Sequence, residues 1–168
     1  MSGLLNASEI LEFAIYIEQN GYEFYVESAK KFKDEKLMQL FHFLAEEELK
    51  HESTFKKLQK EAGSFTPPES YSGEYKNYMK DYLKTFTPTT SKKMSELMEK
   101  VNTMEDAVQM ALGFEKDSVV FYTMLKDHVG DHQKPMVNNI IQEEIKHILK
   151  LNNFKTTHIP ETPDVDAL

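Results

Sequence analysis

Apolar and small residues recur every three or four positions along most of this chain, and the pattern predicts four long helices. In the first, Leu11, Ala14, Ile15, Gly21, Tyr22, Tyr25 and Ala29 share a face, and the run lasts to about Lys31. Asn6 or Ser8 supplies its N-cap, with Glu9 in the first turn. Asp34 caps a second helix with the stripe Leu37, Leu40, Phe41, Leu44, Phe55 and Leu58, and Gly63 is its stop. So short a connection makes the two helices antiparallel neighbours. Thr103 and Asp106 form a capping box for a third long helix, with the stripe Val108, Ala111, Leu112, Val119, Tyr122 and Leu125 and an end at Gly130. Asp131 can cap a fourth, which tolerates Pro135 in its first turn and carries Val137, Ile140, Ile141, Ile148, Leu151 and Phe154.

The pattern breaks between the second and third helices. "SFTPPESYSG" reads as loop, "EYKNYMKDYLK" as a short helix with its tyrosines on one side, and Met94–Val101 as a further turn or two of helix. "HIPETPDVDAL" reads as an irregular tail, and no strand pattern of comparable strength is present. The chain therefore reads as one all-α domain over 1–168. It has a first helical hairpin over about 8–62, a crossover over about 63–102, a second hairpin over about 103–155 and a tail over 156–168.

The two hairpins repeat one another. "FAIYIEQNGYEFY" (Phe13–Tyr25) matches "MALGFEKDSVVFY" (Met110–Tyr122), with Glu18 on Glu115 and Tyr25 on Tyr122 at an offset of 115 − 18 = 97. "LAEEELKH" matches "IIQEEIKH", with Glu48 on Glu144 and His51 on His147 at an offset of 144 − 48 = 96. Two amphipathic helices match by chance at Ala, Leu and Phe. A Glu, a Tyr, a second Glu and a His at near-constant offsets are much harder to obtain that way. An antiparallel four-helix bundle with approximate internal two-fold symmetry follows.

Each repeated polar residue lies on an apolar stripe. Glu18 is four residues after Ala14, Glu48 four after Leu44, and Glu144 four after Ile140, while Glu115 lies between Ala111 and Tyr122. The fold thus points four carboxylates and two imidazoles inward. Unpaired, these carboxylates would be costly to bury and would repel one another. Two divalent cations would balance them. Glu and His at i, i+3 share a helix side and can reach one metal. Two such pairs, with one Glu from each of the other helices, make a di-metal set in which each metal takes one His and about one terminal Glu while two carboxylates bridge. A lone E-x-x-H in an acidic helix is ordinarily a solvated face; the duplication with matching partners argues for metal.

Composition narrows the chemistry. The formal net charge is −8, from 20 Lys plus Arg against 28 Asp plus Glu, which argues against nucleic-acid binding. No apolar run approaches bilayer length, and "MSGLLNASEI" lacks the basic and apolar regions of a signal peptide, so a cytoplasmic protein away from membranes is expected. With no Cys, thiolate zinc and Cys-ligated iron–sulfur sites are excluded. Carboxylates and imidazoles suit iron, manganese and zinc. His42, His128, His132 and His158 have no repeated partners and read as surface or loop residues, and Glu46, Glu47 and Glu143 as mostly solvated. Glu47 and Glu143 adjoin the proposed ligands and are alternates to them. Tyr25 and Tyr122 read as core residues whose hydroxyls need partners, with a carboxylate two turns away a natural one.

The segments beginning at Glu18 ("EQNGYEFY"), Glu48 ("ELKH"), Glu115 ("EKDSVVFY") and Glu144 ("EIKH") resemble the ferritin-like di-iron carboxylate superfamily, and within it the rubrerythrin family, over about residues 8–62 and 104–155. The resemblance implies a ferritin-like bundle holding two iron ions, with Glu18, Glu48, Glu115 and Glu144 as carboxylate ligands and His51 and His147 as imidazole ligands. It implies reduction of hydrogen peroxide or oxygen. Rubrerythrins usually carry a rubredoxin domain with a Cys-ligated iron; this chain has no Cys, so a separate rubredoxin-like donor is expected. Many also have a second Glu one turn after the first on the third helix, where this chain has Ser118. The crossover would either run along the bundle, as in a ferritin-like fold, or exchange between the subunits of a dimer, and a homodimer or higher homo-oligomer is expected. The other functions to weigh are ferroxidase or iron handling, and a non-enzymatic helical module with a structural metal.

Overall fold

The computed structural model describes residues 6–62 and 91–160. They form α1 (Ala7–Lys31), α2 (Glu35–Ala62), α3 (Ser91–Glu99), α4 (Met104–Leu125) and α5 (Lys134–His158), with a 3-10 turn at Lys126–His128. Gly63, "EYKNYMKDYLK" and most of the tail lie outside the described residues.

Local chemistry sets the helix starts. Asn6 Oδ1 accepts the Glu9 amide at 2.9 Å while Glu9 Oε2 accepts the Asn6 amide at 2.8 Å, a complete capping box. Thr103 and Asp106 make the same exchange at 3.0 and 2.9 Å. Asp34 Oδ1 accepts the Leu37 amide at 2.8 Å at the head of α2.

The α4–α5 turn differs from expectation. Helix α4 stops at Leu125, short of Gly130, because the chain tightens into the 3-10 turn. Asp131 does not cap α5; it is exposed and pairs with Lys134 at 2.7 Å. Gln133 precedes the helix instead, buried, with Nε2 donating to Leu58 O at 3.1 Å and Oε1 accepting the Gly130 amide at 3.3 Å. Its longer side chain ties the turn to α2, which Asp131 cannot reach from the solvent side. His128, expected at the surface or in a loop, lies in this turn but is buried there, with Nδ1 3.0 Å from Met124 O.

Helices α1 and α2 pack as one hairpin and α4 and α5 as the other, with α1 against α4 and α2 against α5. The duplicated stripes bury against one another in an all-α four-helix bundle. Side-chain contacts between Tyr25 and Glu115 and between Tyr122 and Glu18 show that α1 and α4 run antiparallel. Helix α3 returns across the end of α1, where Lys31 Nζ donates to Met98 O at 2.8 Å and Met94 is buried.

The core divides into two apolar clusters. Ile10, Leu11, Phe55, Leu58, Phe121, Leu125 and Val137 belong to one. Phe24, Phe41, Leu44, Val108, Ala111, Leu151 and Phe154 belong to the other. The repeated polar residues fall between these groups along each helix. Phe41 is fully buried, with its ring 5.4 Å from Tyr25 and 6.3 Å from Phe24. Removing it leaves a cavity in a close-packed layer. Phe41→Ala is expected to lower the unfolding free energy by about 3–5 kcal/mol, read from urea titration of metal-free protein.

Candidate metal centre

Glu18 on α1, Glu48 and His51 on α2, Glu115 on α4, and Glu144 and His147 on α5 are all 4% exposed or less. They converge in two overlapping sets. Glu18, Glu48, His51 and Glu144 form one, and Glu48, Glu115, Glu144 and His147 the other; within each, the ligand-type atoms lie within 4.8 Å of one another. Glu48 and Glu144 belong to both. The i, i+3 spacing puts each His beside its Glu, and the antiparallel hairpins bring the two pairs together with the His51 and His147 rings stacked at 5.6 Å.

Both imidazoles turn Nδ1 inward. His51 Nδ1 lies 3.1 Å from Glu144 Oε1 and 3.5 Å from Glu18 Oε2. His147 Nδ1 lies 2.9 Å from Glu144 Oε2 and 3.6 Å from Glu115 Oε1. The outer nitrogen of His51, Nε2, is 2.9 Å from Glu143 Oε2. Glu143, read from sequence as a solvated alternate to the inward carboxylates, thus contacts the outside of the ring. Glu47 pairs with Lys50. His42 and His132 are exposed, and His158 stacks on Phe154 at 4.6 Å.

The two tyrosines cross between repeats. Tyr25 OH donates to Glu115 Oε1 at 2.5 Å, and Tyr122 OH donates to Glu18 Oε1. The partner is therefore the Glu of the other hairpin, not the one two turns away on the same helix. Two turns separate residues by about 10 Å along the axis. The antiparallel neighbour instead sets position 25 beside 115 and 122 beside 18.

Position 21 does more than fill its place on the α1 stripe. A Cβ on Gly21 would sit 3.0 Å from Glu48 Oε2, so its absence makes room for that carboxylate. Its repeat counterpart is Ser118 (118 − 21 = 97), likewise three residues after a buried Glu. Gly21, Ser118 and Asn20 line a cavity of about 20 Å³ that reaches Glu48, Glu115 and the Tyr25 ring. That is roughly the room one water needs. The signal was present as two small residues at matching offsets.

Burial raises the proton affinity of Glu18 and Glu48 well above the usual carboxylate range, and repulsion from neighbouring acids adds to it. Burial, then the charge on Glu144, lifts Glu115 to about 8. Glu144 goes the other way: burial opposes its charge, but the hydrogen bond from His147 and the nearby His51 imidazole hold it at about 2. Burial pulls both imidazoles down, and the adjoining carboxylates outweigh it, taking His51 to about 9 and His147 to about 10. Protons here do the work that a cation would otherwise do.

These residues fit a pair of divalent ions. No Lys or Arg forms an ion pair with the four inward carboxylates among the described residues; their recorded ion pairs are with His51 and His147. Three buried atoms, Glu18 Oε2, His51 Nδ1 and Glu144 Oε1, have no hydrogen-bond partner and face one another. Such a convergence of orphaned donor atoms is destabilising unless something binds between them.

Comparison with known proteins agrees. The sequence model of the rubrerythrin family matches residues 9–155. The chain belongs to the rubrerythrin family. The crystal structure described as a ferritin-like diiron-carboxylate protein from Thermotoga maritima matches at TM-score 0.68 and 26% identity, covering 91% of this chain and 96% of that one. No curated protein matches significantly. Among the described residues of this rubrerythrin-family chain, no helix is long and apolar enough to cross a membrane.

The sign of the pH dependence follows. The raised carboxylates and imidazoles bind more protons in the folded metal-free protein than in the unfolded chain, from the ordinary carboxylate value of 4.5 up to about 10. Stability therefore falls as pH rises through that window. The His51 and His147 contributions are fully present below 6.5 and are lost as pH passes about 9 and 10. Glu144 acts oppositely, but only as pH falls from 4.5 towards about 2. The melting temperature of metal-free protein is expected to drop steadily from about pH 6 to about pH 9, and a bound divalent ion, by replacing the protons, should flatten that slope in scanning calorimetry.

Proposed function

We propose that this chain is a di-iron carboxylate oxidoreductase that reduces hydrogen peroxide or oxygen with electrons from a separate donor protein. The observation that carries the reading is the pair of overlapping ligand sets sharing Glu48 and Glu144. Glu18 and Glu115 would be the terminal carboxylates, Glu48 and Glu144 the shared ones, and His51 and His147 would each offer Nδ1. Two ferrous ions bound there would supply one electron each to the O–O bond of the oxidant.

The protein's own groups define what can reach the site and how it is held. The cavity beside Gly21 and Ser118 has room for a water-sized molecule, which favours a small oxidant over an organic substrate. The Tyr25 and Tyr122 hydroxyls orient Glu115 and Glu18 from opposite hairpins. Burial, with the surrounding carboxylates, pushes both phenols well above their usual value, so both keep their protons and stay donors. The apolar clusters surrounding this layer limit water around the reacting atoms. The sequence has no Cys, so a thiolate-ligated iron within it cannot serve as the electron relay. The diiron-carboxylate description of the Thermotoga maritima structure adds support for iron.

Anaerobic protein loaded with ferrous iron is expected to bind about two ions per chain, and one peroxide per ion pair should oxidise it completely in a fast phase followed by stopped-flow absorbance. Slow oxidation by peroxide with fast oxidation by oxygen would rule out the peroxidase form. The double variant Glu48→Ala, Glu144→Ala should lose both ions; unchanged metal content in that variant would remove the di-metal reading altogether.

A further inference from the structure

The two ligand sets are related by the internal repeat, yet they are not equally prepared to receive an ion. At the first, Glu18 Oε2, His51 Nδ1 and Glu144 Oε1 converge with no hydrogen bond of their own to break. Their separations of 3.1 and 3.5 Å from the His nitrogen are within ion-pair reach without an aligned bond. At the second, one pair within the set is already hydrogen-bonded. His147 Nδ1 is hydrogen-bonded to Glu144 Oε2 at 2.9 Å, whereas among the described residues no such bond joins the counterpart pair His51 and Glu48; the Tyr25–Glu115 bond is matched by Tyr122–Glu18 and does not distinguish the two sets. An ion entering there must first displace the His147–Glu144 bond.

The outer side of the two histidines differs in the same direction. Glu143 Oε2 stands 2.9 Å from His51 Nε2 and holds the ring from its outer side. Nδ1 is then the nitrogen that faces the inward carboxylates. Glu47 is the repeat counterpart of Glu143 (143 − 47 = 96), but it is drawn to Lys50 on its own helix. The recorded ion pairs of His147 run through Nδ1 alone. One histidine is thus held from outside by a carboxylate, while its twin's matching carboxylate is engaged elsewhere.

We propose that the Glu18–His51–Glu144 position takes up the first divalent ion and the Glu115–His147 position the second, with Glu143 as the positioning residue that sets this order. The inference rests on the di-metal reading above. The contact of Glu143 with the site is through His51 Nε2, so it acts through that ring. Its side chain is 45% exposed, so replacing it should leave the fold intact.

The test uses cobalt(II) alone. Calorimetric titration of the metal-free protein should resolve two binding steps, and crystals grown with one equivalent per chain should show anomalous density at the Glu18–His51 position. Glu143→Ala should weaken the first step by roughly 10- to 100-fold and merge it with the second. Glu143→Gln, whose amide oxygen can still accept the Nε2 proton, should recover most of that loss, a rescue that a purely structural role would not require. Glu47→Ala should leave the order unchanged. Density first at Glu115–His147, equal partial density at both positions, or an unchanged first step in Glu143→Ala would overturn the inference while leaving the di-metal site standing. Protein that binds no cobalt at the cluster would overturn the di-metal reading and the inference with it.

Discussion

Burying Glu18, Glu48, Glu115 and Glu144 in one layer sets like charges against one another where little water is left to screen them. Coulomb repulsion at such separations is far stronger in a protein interior than in bulk solvent. The surrounding structure answers that strain in several ways. Two histidines sit among the acids, two tyrosines donate from opposite hairpins, and three of the four carboxylates hold protons well above their ordinary range. Each is a partial substitute for positive charge. The apolar clusters built from Phe55 and Phe121, and from Phe24 and Phe41, flank the charged layer on either side.

Duplication explains how one chain arrives at such a layer. A single hairpin carries two carboxylates and one imidazole, too few donors to surround two ions. Two copies meeting with their helices antiparallel supply both halves and share Glu48 and Glu144 between them. The crossed tyrosines are the same symmetry seen at one remove: each repeat holds the buried Glu on the first helix of the other. Neither hairpin can complete the site alone, so the charged layer and the packing of the two halves are coupled.

The symmetry is broken in small ways that bear on chemistry. Position 21 is Gly and position 118 is Ser, and together they leave a cavity beside Glu48 and Glu115. Glu143 reaches across to His51, whereas Glu47 turns to Lys50. These differences lie at the edge of the inward layer and alter access and orientation without changing which six side chains converge.

The sequence by itself determined the helices, their caps at Asn6, Asp34 and Thr103, and the convergence of Glu18, Glu48, His51, Glu115, Glu144 and His147. Helical periodicity and a repeat are local signals, and a charged residue that keeps its place on an apolar stripe in two copies is legible without coordinates. What depended on distances across helices was not. Tyr25 pairs with Glu115 because antiparallel packing brings the other hairpin nearer than the next two turns of its own helix. Gln133 rather than Asp131 secures the last turn because only the longer side chain reaches Leu58 O. His128 is buried because the 3-10 turn folds it inward, and Glu143 meets the outer nitrogen of His51 because α5 lies against α2 there. Those are outcomes of how rigid helices dock, which one-dimensional spacing does not encode.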